Sequence, residues 1–263
     1  MTRTERSPWQ ITWSVWHAMF MREVLARTMQ NRFAWFWMLA EPIAYVVIMV
    51  WVRELVGRTR FVIGADFVPW LIVGLAPFFL FREGVTRSLG AVRANHGLFA
   101  YRQVKPVDPV LIRNVLEGLL KTVVFVILLA GGGLLGYELY PDDVLGVLNG
   151  WLGLWMLGLG GGLIVSVGAT LYESVDMSVR LSMLPMFLLS GVILPHHMLP
   201  HGVQQVLLYN PVLHGVESVR LAFFEGYRSL SGIDASYLWL WNLVLLALGL
   251  ALHIRFALLL KAQ

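Results

Sequence analysis

The feature that most constrains this chain is a succession of apolar segments, each long enough to cross a lipid bilayer. About 20 apolar residues span the hydrocarbon core as a helix, and six segments qualify, some only when extended past a flanking charge. Since 58% of the residues are hydrophobic and only 14% are charged, a soluble domain could not cover its surface. We therefore predict an all-α membrane protein, one domain of residues 1–263, with six transmembrane helices at 33–52, 61–82, 111–137, 144–172, 179–195 and 235–256.

Lysine and arginine are distributed unevenly between the segments that join these helices. With the N-terminus placed inside, fifteen of the 20 basic residues fall on the inner side and five on the outer side. Cytoplasmic loops are enriched in basic residues, so we predict a multi-pass protein with both termini cytoplasmic. The net charge of +4 then reflects orientation, and no nucleic-acid partner is expected.

The N-terminal segment 7–29 predicts an amphipathic helix that lies in the membrane interface. Ser7 and Gln10 form a capping box around Pro8, which is a strong signal for a helix start. Aromatic residues follow at helical spacing on one narrow face: Trp9, Trp13, Trp16 and Phe20. Such a face suits the headgroup layer, although packing of this helix on a partner subunit stays open as an alternative.

A long basic loop after the second predicted span carries an unusual apolar motif. In "HGLFAY", residues 96–101, the side chains of Leu98, Phe99 and Tyr101 stand where water is expected, which indicates docking onto another protein. Beyond the loop, basic and acidic residues spaced four apart predict a self-paired ladder of charges that enters the membrane: Arg113, Glu117 and Lys121.

The segment 200–230 combines prolines and glycines with apolar helical runs that are too short to cross the membrane. We predict a re-entrant helical hairpin before the last span, with Asn210 and Pro211 at the turn between its halves. Non-helical backbone at this depth survives only where protein or a water-filled cavity satisfies its polar groups. The hairpin is therefore expected to face a pathway or to pack beneath a neighbour.

Motifs for catalysis or metal binding are weak in this sequence. His196, His197 and His201 could offer nitrogen ligands, but Pro200 interrupts the helix that their spacing needs, and we expect no metal site. There is no cysteine, and no HExxH, GxSxG, P-loop or paired-carboxylate motif occurs, so no catalytic residue and no cofactor are assigned to this chain. Two other classes remain as alternatives: a membrane enzyme that uses the histidines on lipid-linked sugar, and a proton-coupled transporter. The second would need more buried acids and an internal repeat.

Glu41 lies inside the first predicted span, where an ionisable residue indicates a functional site. Pairing with Arg32, or with an arginine of another span, explains this acid equally well. Both interpretations stay open from the sequence.

Three stretches of the sequence resemble the permeases of ABC-2 type exporters, in particular those that export capsular polysaccharide. The loop "NHGLFAYRQVKPVDP" (95–109) is similar to "NQGLFxYRPVKPID" of that family, with Gln103 where the family has proline. The stretch "FMREVLARTMQNRFAWFWMLAEP" (20–42) resembles "FLREIRTRFGKFRLGYLWAILEP", and "LYNPVLHGVESVR" (208–220) resembles "LWNPLVHVVELSRE". The six spans, the interface helix and the hairpin fit the same family.

The resemblance implies a transporter subunit without an ATPase site of its own, assembled as a homodimer in the bacterial inner membrane. Two copies of a separate subunit would bind ATP and magnesium. The implied cargo is a lipid-linked acidic polysaccharide, with periplasmic and outer-membrane export components completing the pathway. An O-antigen or a teichoic-acid exporter is the alternative within the same family.

Resemblance and residue chemistry together give four groups of candidate site residues. The substrate entrance comprises Arg22, Arg27, Arg32 and Glu41. These arginines suit phosphate and carboxylate groups, and would equally hold anionic membrane lipid. The aromatic candidates for the translocation pathway are Trp37, Tyr45, Phe78, Phe187 and Tyr209. ATPase coupling is assigned to a coupling helix at 91–103 and to the next cytoplasmic loop, with Asn95, Gly97, Leu98, Phe99, Tyr101, Arg102, Glu173 and Asp176. The outer gate comprises Pro195, His197, Pro200, Asn210, Pro211 and His214.

Overall fold

The computed structural model describes residues 7–30, 33–56, 62, 64–193, 195 and 199–262, and within these ranges every regular element is a helix. The helices are α1 (Pro8–Gln30), α2 (Ala34–Val56), α3 (Phe67–Ser88), a 3₁₀ helix (Arg93–Ala100), α4 (Asp108–Leu134), α5 (Val144–Leu171), α6 (Ser174–Leu189), α7 (His201–Leu207), α8 (Pro211–Phe223), α9 (Ala235–Arg255) and α10 (Ala257–Ala262). The predicted all-α class is confirmed for this part of the chain.

Among the described residues, five helices are long and apolar enough to cross a membrane: α2, over Phe36–Leu55, and α3, α4, α5 and α9. The spans differ sharply in burial. In the most apolar stretch of α3, 83% of the residues are buried, whereas in α2 the share is 6%. The core therefore forms around α3 and α5, with α8 and α9 packed against them, and α2 stands at the edge of the bundle.

Glycines allow α3 and α5 to approach closely. A Cβ atom at Gly84 of α3 would lie 3.1 Å from the Cα atom of Gly158 in α5, and one at Gly162 would lie 2.8 Å from the Gly84 carbonyl oxygen. A larger side chain at these points would push the two helices apart. The glycine-rich run "GLGGGL" at 158–163 is thus explained by helix packing of the kind common in membranes.

Helix α1 begins with the predicted capping box. The backbone N–H of Ser7 donates to Gln10 Oε1 (3.0 Å), and the N–H of Gln10 donates to Ser7 Oγ (3.3 Å). Part of the aromatic face is exposed, namely Trp9 and Trp13. Further along, Trp16 Nε1 donates to Asp108 Oδ1 (3.0 Å) and Met19 is buried, so the middle of α1 is attached to the start of α4.

Two helix boundaries depart from the sequence prediction. The second span, predicted at 61–82, is a helix from Phe67 to Ser88, and residue 61 lies outside the described part. The fifth span, predicted at 179–195, is α6, which ends after 16 residues at Leu189 because Gly191 adopts a left-handed conformation (φ 66°). At 1.5 Å per residue α6 is about 24 Å long, shorter than a hydrocarbon core of about 30 Å, and it is not among the five apolar spans.

The segment predicted as a hairpin contains two short helices, α7 and α8, joined by a tight turn at 208–210. Helix α8 packs against α3, α5 and α9, and most of its residues are buried. In α7, only Leu207 is buried. The two halves of the hairpin therefore have different environments, one internal and one peripheral.

Candidate functional site

The candidate site is a cavity of about 610 Å³ between α2, α3, α4 and α6. Its inner part is lined by aromatic rings from three helices: Tyr45, Phe78, Phe79 and Phe187. Its rim, beside α1, is lined by charged side chains: Arg82, Glu83, Arg87, Arg113 and Arg180. The cavity thus changes from basic at one end to aromatic at the other.

The aromatic rings contact one another across the helices. The ring centroids of Tyr45 and Phe187 are 5.6 Å apart at an interplanar angle of 67°, and Phe78 and Phe187 are 5.0 Å apart. These distances and tilts are those that aromatic pairs prefer. The structure therefore brings together three of the five predicted pathway residues. The other two, Trp37 and Tyr209, are exposed and lie outside this cavity.

Several arginines line the cavity, whereas most of their acidic partners do not. Arg82 Nη2 donates to Glu41 Oε1 (2.7 Å) and Glu83 Oε1 (2.8 Å). Arg180 Nε donates to Asp176 Oδ2 (2.7 Å). Of these acids, only Glu83 lines the cavity. An anion inside would therefore meet several cations and a single carboxylate.

The charge ladder predicted on α4 does not pair with itself. Arg113 Nε donates to Glu23 Oε1 of α1 (2.9 Å). Glu117 pairs with Arg27 of α1, and its Oε1 lies 3.5 Å from Arg87 Nε of α3. The self-paired ladder is therefore wrong, because neighbouring helices supply closer partners than the next turn of α4.

None of the described entrance residues, Arg22, Arg27 and Glu41, lines the cavity. Burial and the neighbouring Arg87 lower the pKa of Arg27 to about 10, so its side chain stays charged at neutral pH. Arg22 donates to Asn95 Oδ1 in the 3₁₀ helix. The bond from Arg82 to Glu41 confirms that this acid pairs with an arginine of another span. Arg32 lies outside the described residues.

The predicted coupling helix at 91–103 is a shorter 3₁₀ helix, and its candidate residues divide into two groups. Asn95 and Phe99 are buried inside the chain, where Phe99 packs in a cluster with Met19 and Leu260. The remaining candidates are available at the surface: Gly97, Tyr101 and Arg102, with Leu98 half-buried. The exposed residues can therefore contact another protein, whereas the buried Asn95 and Phe99 hold the segment in place.

A second candidate loop lies beside this segment. Arg93 Nη2 donates to the carbonyl oxygens of Ala169 and Thr170 (3.4 Å for the latter) at the end of α5. The exposed Glu173 follows at the start of α6, with Asp176 in its first turn. Arg93 therefore attaches the 3₁₀ segment to the last turn of α5, directly before the second candidate loop.

Asn210 fixes the turn of the outer hairpin. Its Oδ1 accepts from the N–H of Val212 (3.0 Å), and its Nδ2 donates to Ser190 Oγ (3.1 Å) and to the Leu189 carbonyl oxygen (3.2 Å). Pro211 occupies the first position of α8, where it needs no hydrogen-bond partner. The hairpin turn is thus tied to the end of α6.

His214 ties the same turn to α9. Its Nδ1 accepts from the backbone N–H of Asp234 (2.9 Å), so its Nε2 carries the proton and donates to the carbonyl oxygen of Leu208 (2.8 Å). Both ring nitrogens are used within the chain. This histidine therefore has a structural role in the closed hairpin.

The other gate candidates lie between α6 and α7. Pro195 is buried and Pro200, which precedes α7, is exposed, while His197 lies outside the described residues. His201 contacts Gln205, with 3.3 Å between the two Nε2 atoms. Within the described ranges, no group of three or more His, Cys, Asp or Glu side chains could hold a metal ion.

A buried ion pair on α8 escaped the sequence analysis. Glu217 and Arg220 are fully buried, with 2.7 Å between Glu217 Oε1 and Arg220 Nη1. Arg220 also donates to the carbonyl oxygens of Gly191 (2.8 Å) and Val192 (2.9 Å), and its guanidinium lies 3.6 Å from the ring centroid of Trp70. Opposite charges three residues apart in a short apolar helix are the sequence signal that could have revealed it.

The acid of this pair is also fully engaged. Glu217 accepts hydrogen bonds from the hydroxyls of Tyr227 (3.0 Å) and Ser229. Burial and the adjacent carboxylate raise the pKa of Tyr227, which keeps the phenol protonated as a donor. Gly74 of α3 leaves room for the guanidinium, since a Cβ atom there would collide with it. We call the set of Glu217, Arg220, Trp70 and Tyr227 the outer latch.

Comparison with known proteins places the chain in a family. A model of the ABC-2 type transporter family matches residues 14–224. The chain is 33% identical to the polysialic acid transport protein KpsM of Escherichia coli, over 94% of this chain and 95% of KpsM. It is 30% identical to the capsule polysaccharide export inner-membrane protein CtrC of Neisseria meningitidis, over 91% and 90% of the two chains. It is 25% identical to the inner-membrane protein BexB of Haemophilus influenzae, over 90% and 88%. The chain therefore belongs to the ABC-2 type transporter family, as its sequence motifs indicated, and its relatives are permeases that export capsule polysaccharide.

Proposed function

We propose that this chain is the transmembrane permease subunit of an ATP-driven exporter that carries lipid-linked capsular polysaccharide across the bacterial inner membrane. The functions named for KpsM and CtrC support this proposal, since the similarity extends over nine-tenths of each protein. The chain has no phosphate-binding loop, so ATP hydrolysis with magnesium would belong to a separate subunit.

The observation that carries the proposal is the cavity with a basic rim and an aromatic interior. Guanidinium groups form strong, geometrically specific hydrogen bonds with phosphate and carboxylate groups, which an acidic glycolipid would present. Ionisable residues within membrane spans are costly and normally mark the path of a polar substrate. Aromatic faces beyond the rim offer weak, repeated contacts to a moving sugar chain.

A homodimer with six spans per copy would complete the pathway. Helix α6 is the fifth span in this arrangement, and its short length is accommodated because it stands next to the cavity and not in bulk lipid. Large apolar side chains are exposed on α2 and α6, including Ile48, Val52, Leu181 and Leu184. A second copy that covered these faces would close the open side of the cavity. Both termini would be cytoplasmic.

The exposed part of the 3₁₀ segment and the loop before α6 would receive the ATPase. Tyr101 is 61% exposed and is the largest exposed apolar side chain of the 3₁₀ segment. Because Arg93 attaches the 3₁₀ segment to the last turn of α5, a movement imposed on this segment would reach the end of α5 and the loop that follows it. Asn95 and Phe99 would support this surface from inside.

The outer hairpin would act as the gate at the opposite end. The outer latch attaches α8 to α3 and to the turn after α6, while Asn210 and His214 attach the hairpin turn to α6 and α9. These bonds would hold such a gate closed. Opening would require them to break together.

The function is tested by deletion, in the source bacterium, of the gene that encodes this chain. We expect surface polysaccharide to be lost and lipid-linked polymer to accumulate inside the cell, with wild-type chain restoring export. Normal surface polymer without internal accumulation would refute the proposal. Composition analysis of the trapped polymer then identifies the cargo class.

Complementation with variants tests the cavity itself. Arg87→Gln and Arg180→Gln each remove a cation from the rim and should slow export. Arg255→Gln removes a charge at the end of α9, outside the cavity, and should not. Equal effects of all three would show that the cavity has no special role.

A further inference from the structure

A second cavity lies on the opposite side of α2 from the candidate site. It is a groove of about 570 Å³ between α2, α3 and α4, a size typical of ligand pockets. Its walls are apolar along most of their length, with Ile43 and Val50 on α2, Ile72 on α3 and Ile127 on α4. None of the residues assigned to the four functional groups lines it.

The length of the groove matches one leaflet of a bilayer. Along α2 it runs from Ile43 to Glu54, which is about 16 Å at 1.5 Å per residue. Half of a hydrocarbon core is about 15 Å. Since α2, α3 and α4 are all apolar spans, the groove lies at the depth of acyl chains and not of water.

Polar groups of the lining are concentrated at one end. Glu54 stands in the last turn of α2 and Tyr137 follows the end of α4, so both lie where the groove would meet the headgroups. Glu54 is the one charged residue among the described residues that line the groove. A carboxylate there favours an ammonium group and disfavours the acidic head of an exported glycolipid.

We propose that this groove binds an acyl chain of a bilayer phospholipid whose headgroup carries an amine. The acyl chain lies against the apolar walls, and the ammonium group meets Glu54 at the rim. The lipid would support α2, which has few contacts with the rest of the bundle. This site is distinct from the basic cavity, and its occupancy requires neither polysaccharide nor ATP.

Glycines of α4 provide a matched pair of test variants. A Cβ atom at Gly131 or at Gly133 would meet no atom within 4 Å, so both positions tolerate a side chain. Gly131 lines the groove, whereas Gly133 does not. Gly131→Phe therefore fills the groove, and Gly133→Phe makes the same change in composition and helix propensity elsewhere on α4.

The experiment uses the full chain reconstituted in vesicles that contain phosphatidylethanolamine with a photoreactive diazirine in its acyl chain. After illumination, adducts are mapped by mass spectrometry. We expect adducts at 46–51 of α2 and 127–135 of α4 in wild type and Gly133→Phe, and their loss in Gly131→Phe. Val47→Trp, on the exposed wall of α2, is a second filling variant should the first fail to fold.

Adducts that persist in both filling variants, or that spread evenly over all spans, would overturn the proposal. So would the absence of lipid adducts at these residues in the wild-type chain. The headgroup is tested with Glu54→Gln, which should reduce the preference for phosphatidylethanolamine over phosphatidylglycerol by up to about five-fold. An unchanged preference would refute the role of the amine. Export by the cell is measured separately, so failure of this site leaves the proposed function untouched.

Discussion

Replacement of Arg220 by methionine is expected to destabilise the protein severely. The guanidinium is fully buried and bonds to Glu217 and to the carbonyl oxygens of Gly191 and Val192. Methionine fills a similar volume but donates no hydrogen bond. The substitution therefore leaves a carboxylate in the interior without its countercharge, together with three carbonyl groups without their donor, since Arg220 Nε also donates to the carbonyl oxygen of Trp70 (3.3 Å).

The magnitude follows from these losses. Removal of one partner of a buried ion pair typically costs about 3–5 kcal/mol, because the remaining charge is uncompensated. For a chain of this size each kcal/mol lowers the melting temperature by roughly 2–4 °C, which gives a decrease of about 6–20 °C. Tyr227 and Ser229 still donate to Glu217, so the lower part of this range applies if they can reorient.

Thermal melting of the purified protein in detergent measures the effect. Arg228→Met is the matched control, since Arg228 is exposed in the loop that follows α8 and its loss should leave the melting temperature nearly unchanged. A second substitution, Glu217→Gln, made together with Arg220→Met, should recover part of the loss because the buried charge is removed. Equal melting temperatures for wild type and Arg220→Met would refute the reasoning.

Three further predictions concern the surfaces around the site. Tyr101→Ala should abolish stimulation of the partner ATPase without a change in melting temperature. Phe99→Ala should lower the melting temperature by the equivalent of about 3–5 kcal/mol. The opposite pattern would contradict the assignment of Tyr101 to the docking surface and of Phe99 to the interior. Asn210→Ala should cost about 1 kcal/mol through loss of the cap on α8, measured by melting, and no loss would contradict the cap. Glu41→Gln should strengthen binding of an acidic polysaccharide oligomer by up to about five-fold in calorimetry, because Arg82 then has one acidic partner fewer; unchanged affinity would exclude Arg82 from the anion site.

The sequence correctly predicted helix starts that depend only on residues close together in the chain. The capping box of Ser7 and Gln10 is formed as expected, because both partners lie within one helical turn. The N-cap at Asn210 and the proline that follows it likewise set the start of α8. Five of the six predicted spans overlap the apolar helices of the described residues, whereas the predicted span 179–195 corresponds to α6, which is not among them.

Contacts between side chains of different helices could not be predicted from the sequence. Arg113 and Glu117 fit a helical ladder by spacing, yet α1 and α3 supply their partners. Phe99 was expected at a protein interface, but α1 and α10 cover it within the same chain. Such outcomes depend on which helices become neighbours, and a single sequence without tertiary information does not determine that.

Helix α2 lies between the two cavities and contributes to the walls of both. The basic cavity lies on one side of this helix and the apolar groove on the other, and the bond between Glu41 and Arg82 attaches α2 to α3. The core of α3, α5, α8 and α9 is closely packed and cannot widen without loss of buried contacts. In the proposed exporter, a pathway beside that core would therefore open by displacement of α2 or α6. Since Arg82 both lines the basic cavity and holds Glu41, an anion that bound Arg82 would weaken the attachment of α2 as the substrate entered.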